Sequence, residues 1–191
     1  MNINKAIRKQ KKTYEGFMLS MCFIFVLLPI VLMISKIMNA FFAIYLIFIE
    51  VMITFVLLLR INEEYIDFKQ NGYKISILCG ITKVKFIIIC KKVDLVHTEG
   101  HGRNLRIIII TKSGFRNKKI RPVDINFFMK YPYVAKMYID IKLQNPEKTY
   151  FYFVINNGGF KKYSLLNVLY KTCDQAVFSD DAIENIKEYR D

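Results

Sequence analysis

The sequence predicts a membrane α-helical hairpin followed by an α+β domain with an antiparallel sheet and C-terminal helices. Two apolar runs, residues 17–35 and 40–59, contain a single acidic residue and no basic one, and only residues 36–39 separate them. After residue 60, short runs rich in Ile, Val and Phe alternate with turn residues, a pattern typical of strands. From residue 124 onward, apolar residues recur at helical spacing.

Each apolar run is long enough to cross a membrane. The runs hold 19 and 20 residues, and a helix needs about 20 residues to cross a hydrocarbon core of about 30 Å. A cleaved signal peptide is the competing interpretation of the first run. That run is too long for a signal peptide, no small-residue cleavage site follows it, and the second run begins at once. The short connection predicts a tight antiparallel hairpin with both chain ends on one side.

The charge distribution predicts which side that is. Residues 1–16 form a basic N-terminal segment with five basic residues and one acid, whereas the hairpin tip carries only Lys36. Because Lys and Arg concentrate in cytoplasmic segments, we expect a two-pass protein of the cell membrane with both termini in the cytoplasm. Of the net charge of +13, residues 60–191 contribute +9, from 23 basic and 14 acidic residues. The anionic inner leaflet should attract this domain by about 1 kcal/mol per basic residue near the surface.

A carboxylate inside the second run, Glu50, marks a candidate membrane-helix contact. Ala43, Glu50 and Thr54 fall on one helical face, and such small and polar stripes are where membrane helices approach protein. In the first run, Pro29 leaves the Phe25 carbonyl without its helical donor, at a depth that matches Glu50. Three interpretations are open. A protonated Glu50 donates to the Phe25 carbonyl, or Glu50 meets a partner membrane subunit, or it takes part in ion or proton movement.

The first half of the domain predicts five to six antiparallel strands in a meander. Asn71-Gly72 separates two β-rich runs, which is a strong signal for a β-hairpin. Another strand is expected at residues 149–155, whose sequence is TYFYFVI.

Between those strands and at the C-terminus the pattern predicts helices. Asp124 is a suitable N-cap for a helix through residue 142, which Pro132 should bend or interrupt. Ser164 and Ser179 are the predicted caps of two C-terminal helices. The aromatic residues that are abundant in this part of the chain are expected to pack in the core.

One stretch carries a family resemblance. The sequence NGYKISILCGITKVKFIIICKKVDLVHT, followed by LRIIIITKSG, resembles the opening strands of bacterial pleckstrin-homology-like domains. These domains stand behind a two-helix hairpin in small membrane proteins of unassigned role. The resemblance covers residues 60–122 and implies a strongly bent β-sheet closed by a C-terminal helix, used for binding and not for catalysis. This chain departs from that pattern by its helical segment at residues 124–142 and by ending in two helices instead of one.

A basic stretch in the domain is a candidate site for lipid phosphate groups. It contains seven bases and no acid. Its basic residues are Arg103, Arg106, Lys112, Arg116, Lys118, Lys119 and Arg121. A solvated basic face is the alternative interpretation. Nucleic acid is not expected as a partner, because only Phe115 stands among these bases for base stacking.

Two histidines raise the question of a metal. His97 and His101 have the spacing of a helical metal site, but they lie in a β-branched run that leads into a Gly-rich loop, with no third ligand nearby in sequence. They are therefore expected to be exposed loop residues, and neither a metal nor a cofactor is expected. The chain contains no Walker loop, nucleophile elbow or dinucleotide fingerprint. Its four cysteines form no C-x-x-C pair, so a disulfide framework is not indicated.

These patterns together favour a non-enzymatic, membrane-anchored adaptor or accessory subunit. Its basic domain would contact the inner leaflet and bind or regulate a protein partner, or a second copy of the chain. An immunity-type membrane protein that neutralises a toxin is one alternative, and a metal-dependent enzyme that uses His97 and His101 is another.

Overall fold

The computed structural model describes residues 2–36, 39–114, 117 and 119–190. Two long helices open the chain, α1 (Ile3–Ile34) and α2 (Ala40–Glu64), and they run antiparallel against each other. Both are long and apolar enough to cross a membrane, and none of the residues in their most apolar windows is buried inside the protein. The predicted hairpin is therefore present, as an element whose apolar surface the rest of the chain does not cover.

The first helix is longer than the predicted apolar run. The basic N-terminal segment, which was expected to precede the first helix, continues α1 without a break from Ile3. Ile3 is buried and packs with Leu105 and Tyr163 of the domain. The first turns of α1 therefore belong to the domain's surface layer, and the hairpin and the domain form one connected structure.

The first sheet is a three-stranded antiparallel meander. It comprises β1 (Ile66–Asn71), β2 (Lys74–Cys79) and β3 (Val84–Ile89), in the order β1-β2-β3. The predicted hairpin between β1 and β2 is confirmed, and Asn71 pairs with Lys74 across the turn. The turn residues are thus Gly72 and Tyr73, and Gly72 has the positive φ, +57°, that such a turn requires.

Among the described residues, the second sheet has five strands, and the predicted single meander is therefore wrong. Its strands are β4 (Val93–Glu99), β5 (Arg106–Thr111), β6 (Arg121–Pro122), β7 (Phe151–Ile155) and β8 (Val177–Phe178). They follow the order β6-β7-β5-β4-β8, and β8 pairs parallel to β4 while the other pairs are antiparallel. A 3₁₀ turn at Cys90–Lys92 separates β3 from β4 and starts the new sheet.

Within the described ranges, four helices complete the domain: α3 (Ile125–Lys130), α4 (Pro132–Gln144), α5 (Lys161–Thr172) and α6 (Asp180–Arg190). The predicted caps at Asp124 and Ser179 are confirmed, since Asp124 accepts from the Phe127 N–H at 2.9 Å and Ser179 Oγ from the Ala182 N–H at 3.2 Å. The predicted cap at Ser164 is wrong because α5 already begins at Lys161. The α+β class with C-terminal helices is confirmed.

The run of four isoleucines in β5 explains how the layers pack. Ile107 and Ile109 face a core that lies between the two sheets and α5, whereas Ile108 and Ile110 face a second core under α3 and α4. Successive side chains of a strand point to opposite faces, so a strand buried on both faces needs a continuous apolar run. The second sheet is therefore the middle layer of the domain.

Candidate functional site

The end of α2 is fixed to the domain by hydrogen bonds to both sheets. The Gly158 N–H donates to the Glu63 carbonyl at 2.8 Å, and the Asn157 side-chain amide donates to the Asn62 carbonyl. From the turn between β2 and β3 of the first sheet, the Ile81 N–H donates to the Asn62 side chain at 3.2 Å. The junction between the hairpin and the domain is therefore held at several points.

Two glycines let the hairpin approach this closely. A Cβ atom at Gly158 would overlap the side chain of Ile66, and one at Gly159 would overlap the side chain of Gln10. Both glycines also have positive φ, +107° and +52°, which side chains with a Cβ rarely adopt. Gly158 is thus required for the contact with β1, and Gly159 allows the close approach of Gln10 from α1.

Glu64 is the polar centre of the junction. Its side chain is 7% exposed, forms an ion pair with Arg60 at 3.2 Å, and accepts hydrogen bonds from Arg103 and Gln10. Gln10 of α1 also accepts from the Phe160 N–H at 2.7 Å, directly ahead of α5. A buried carboxylate is stable only when it is paired and hydrogen-bonded, and these partners come from α1, α2 and the β4–β5 loop. The carboxylate therefore ties both hairpin helices to the domain.

A basic cleft of about 880 Å³ opens beside Glu64. Arg60, Arg103 and Arg106 line it, together with Glu63, Glu64, Gly159 and the asparagines 62, 104, 156 and 157. Within the part of the chain that the structure describes, the buried Arg60 Nε has no hydrogen-bond partner. We call this region the junction cleft.

A buried lysine, Lys162, lies beside the junction cleft. Lys162 is 1% exposed, and its ammonium donates to the carbonyls of Arg103, at 3.0 Å, and Asn156, at 2.7 Å. Burial, followed by the positive charge of Arg106, lowers the pKa of Lys162 to about 8, although Glu64 acts in the opposite direction. The charges of Arg106 and Arg103 therefore add to the effect of burial on Lys162.

The structure divides the basic stretch that the sequence singled out. Arg103 and Arg106 line the junction cleft, and Lys119 lines a neighbouring cleft of about 230 Å³ next to Asn62 and Asn157.

The other bases of that stretch lie elsewhere. Lys112 directly follows β5, roughly 20 Å along the strand from Arg106, and forms an ion pair with Asp94. Arg121 is exposed on β6, and Arg116 and Lys118 lie outside the described residues. Arg103, Arg106 and Lys119 therefore lie at the junction. Lys112 and Arg121 are separate charges away from it.

The residues of the predicted membrane-helix contact differ in their exposure within the hairpin. Half-buried residues recur along α2 at spacings of three and four positions, and Ala43 and Glu50 are among them. Thr54 is exposed. The Thr54 hydroxyl donates to the Glu50 backbone carbonyl at 2.9 Å. Pro29 is half-buried within α1, and Phe25 is 36% exposed.

Contacts nearer the domain set the register of the two helices. Gln10 contacts Glu64, and the Arg60 guanidinium lies 5.8 Å from the centre of the Phe17 ring. Extending both helices equally from these contacts brings Glu50 opposite residues 24–27, as expected. The predicted bond to the Phe25 carbonyl is nevertheless absent from the hydrogen bonds of the described residues.

The two histidines line a separate cleft of about 330 Å³ near α6. The expectation that both are exposed is wrong for His97, which is 3% exposed and lies 2.8 Å through Nδ1 from Ser179 Oγ. His101 is exposed, and its Nδ1 lies 3.3 Å from the side-chain oxygen of Asn185. Burial lowers the pKa of His97. In the described ranges no group of three His, Cys, Asp or Glu residues could hold a metal ion.

The four cysteines are free, with Cys22 exposed on α1 and Cys79, Cys90 and Cys173 buried in the domain. Burial raises the pKa of the Cys79 thiol to about 11, which keeps it protonated and unreactive at neutral pH.

Sequence reasoning missed the residues that join the hairpin to the domain. Gln10, Glu64 and Lys162 belong to no motif, and they are far apart in the chain. The available signal was the position of Arg60 and Glu64 directly after an apolar run. Comparison of the chain with protein-family models, with curated proteins and with solved structures found no match.

Proposed function

We propose that the chain is a membrane-anchored, non-enzymatic accessory protein whose domain contacts the anionic inner leaflet and binds a protein partner. The position of the junction cleft carries this proposal. Arg60 directly follows the second apolar run, and Arg103 and Arg106 lie beside it. A hairpin that crosses the membrane would hold these three guanidinium groups at the depth of the lipid phosphates.

The surface of the hairpin supports membrane insertion. The most apolar windows of α1 and α2 have mean hydropathies of 2.8 and 2.7, and none of their residues is buried inside the protein. Exposing apolar surface to water costs about 25 cal/mol per Å², so two uncovered helices of this kind would be strongly unfavourable in solution. The hydrocarbon core of a bilayer covers them without a protein partner.

The proposed orientation places both termini and the domain in the cytoplasm of the cell. Basic residues 5, 8, 9, 11 and 12 lie on the part of α1 that extends beyond the apolar run toward the domain, and all are exposed. This excess over the single lysine near the tip supports that orientation. Because α1 and α2 both enter the domain, the leaflet next to the domain is the inner one in this proposal.

An exposed apolar surface on α3 and α4 supports the partner half of the proposal. Ile125, Met129, Tyr133 and Leu143 are 76%, 72%, 80% and 74% exposed. These helices bury their opposite face against the second sheet. Large apolar side chains left open on a domain that already has its core are typical of a protein-binding surface.

The relation to bacterial pleckstrin-homology-like domains is part of the same proposal. Two antiparallel β-layers around a shared core, followed by a C-terminal helix, support it. Such a domain would act by binding. The parallel strand β8 and helices α3 and α4 would be additions to that pattern.

Leaflet contact can be tested on the full chain in lipid nanodiscs. Cys22, the exposed native cysteine, is replaced by Ser, and a polarity-sensitive dye is attached at Asn104→Cys in the junction cleft. The control dye is placed at Lys171→Cys, about 15 Å along α5 from the cleft. Adding phosphatidylglycerol to phosphatidylcholine discs should shift only the Asn104→Cys signal toward a less polar environment, and high salt should reverse the shift because it screens exposed charges.

An Asn104→Cys signal that does not change with lipid charge or with salt would contradict leaflet contact.

The binding of a protein partner is tested separately with Met129→Lys, which should remove a subunit that co-purifies stoichiometrically with the wild-type chain in mild detergent. The matched variant Lys136→Met, at an exposed position of α4, should retain it. Isolation of the wild-type chain from its native membrane with no second subunit would contradict this half.

A further inference from the structure

Three guanidinium groups meet in the junction cleft with much of their hydrogen-bonding capacity unused. Glu64 engages one terminal nitrogen of Arg60 and one of Arg103, while each guanidinium has five N–H donors. The buried Arg60 Nε has no acceptor among the described residues. Because a buried donor without an acceptor is unfavourable, the cleft is suited to a ligand that brings acceptor oxygens.

Arg106 is the least engaged of the three. Across the described ranges it forms no ion pair or side-chain hydrogen bond, and it is exposed. Its charge nevertheless reaches into the protein, because it contributes to the lowered pKa of Lys162. Arg106 therefore provides a free planar donor group at the wall of the cleft.

The start of α5 adds positive potential at the same place. Gly159 lines the cleft, and α5 follows it with no acidic residue in its first turn. The aligned peptide dipoles of a helix give its N-terminus a partial positive charge. The cleft thus combines arginine forks with a helix end of the same sign, and both favour a multiply charged anion with several oxygens.

We infer that the junction cleft is a binding site for a phosphate group, recognised by Arg60, Arg103 and Arg106. Guanidinium forks match the oxygens of phosphate in a bidentate geometry. The phosphate can belong to a lipid headgroup or to a free phosphate compound. The lipid source rests on the proposed function, because it needs the hairpin to place the cleft at the headgroup level, whereas the phosphate chemistry rests on the cleft alone.

The experiment is a titration of the full-length chain in neutral detergent, followed by native mass spectrometry. The ligands are dioctanoyl phosphatidic acid, dioctanoylglycerol as the same lipid without phosphate, and inorganic pyrophosphate. The wild-type chain should bind phosphatidic acid at least about tenfold more tightly than dioctanoylglycerol, since charge-assisted hydrogen bonds separate the two.

Arg106→Gln should weaken phosphatidic acid binding by about tenfold, and Arg106→Lys should recover part of the loss by restoring charge without the fork. The matched control is Lys136→Gln, which removes one charge from an exposed position of α4. It should bind as the wild type does. Melting temperatures of all three variants equal to that of the wild type would show that the fold is intact.

The outcomes separate this site from the proposed leaflet contact. If Arg106→Gln and Lys136→Gln weaken phosphatidic acid binding equally, the site is overturned, and only a diffuse attraction between the basic domain and anionic lipid remains. Binding of pyrophosphate but not of phosphatidic acid, sensitive to Arg106→Gln, would support the phosphate site and count against the lipid source. If phosphatidic acid binds no better than dioctanoylglycerol and pyrophosphate does not bind, the site is refuted.

Discussion

One isoleucine of the hairpin and one of the domain have opposite surroundings. Ile44 of α2 is 70% exposed, whereas Ile108 of β5 is fully buried between the second sheet and the α3–α4 layer. The same side chain therefore lacks a protein neighbour in one region and is enclosed in the other. The domain thus closes its own cores, whereas the rest of the chain leaves the most apolar windows of the hairpin uncovered.

The largest expected difference in the free energy of unfolding comes from replacing each of these isoleucines by alanine. Ile108→Ala should lower the free energy of unfolding of the domain by about 2–5 kcal/mol, because it leaves a cavity in a closed core. Ile44→Ala should change it by less than about 0.5 kcal/mol. The measurement is denaturant unfolding in detergent, followed by tyrosine near-UV circular dichroism, because the chain contains no Trp. Equal losses would show that the hairpin residue is also enclosed by protein.

Alanine substitutions of the neighbouring acids Glu64 and Glu63 test how the junction between the two regions is stabilised. Glu64→Ala should destabilise the chain by about 2 kcal/mol, because it leaves Arg60 and Arg103 without their carboxylate. Glu63→Ala is the control, since the Glu63 side chain is exposed and its contact with Gly158 uses the backbone carbonyl. The same unfolding measurement decides, and a loss as large in Glu63→Ala would contradict the central role of Glu64.

The free energy of unfolding of the domain should depend on pH through His97. Burial holds the pKa of His97 below its ordinary value of 6.5, against the opposing carboxylates of Asp181 and Glu99. The unfolded chain then binds the extra proton more readily, so this contribution to stability is complete above about pH 6.5 and is lost as the pH falls below it. His97→Gln should flatten the loss of unfolding free energy between neutral and mildly acidic pH, whereas His101→Gln should retain it. A loss that is unchanged in His97→Gln would refute the assignment.

The smallest effect is expected from the acid inside the hairpin. Glu50→Gln should leave the amount of membrane-integrated protein and the unfolding of the domain unchanged within about 0.5 kcal/mol. Gln has the size of Glu, and the Glu50 carboxyl has no hydrogen-bond partner among the described residues. Loss of a co-purifying subunit in Glu50→Gln would show instead that the charge meets a partner.

The sequence predicted the features that depend on local patterns. The two apolar runs, the Asp124 and Ser179 caps and the interruption at Pro132 follow from residue type and spacing over a few positions. The structure agrees with all of these. The division into two sheets escaped prediction, because the 3₁₀ turn after β3 has no strong turn residue.

The candidate site was less accessible from sequence. Arg103 and Arg106 stood out as members of a basic stretch, but the stretch does not show that they meet Arg60, while Lys112 pairs with Asp94. The packing of Ile3 against Leu105 and the bond from Gln10 to Glu64 join residues far apart in the chain. Such contacts depend on how complete elements pack, and a single sequence contains no local signal for them.

The most direct test of the account is the position of the hairpin tip and the domain on opposite sides of the membrane. In a chain with Cys22 replaced by Ser, Asn39→Cys marks the tip and Glu147→Cys marks an exposed loop of the domain. A membrane-impermeant maleimide added to intact cells should label Asn39→Cys and should label Glu147→Cys only after the membrane is opened. Labelling of Glu147→Cys in intact cells would contradict the proposed topology and, with it, contact between the junction cleft and the inner leaflet.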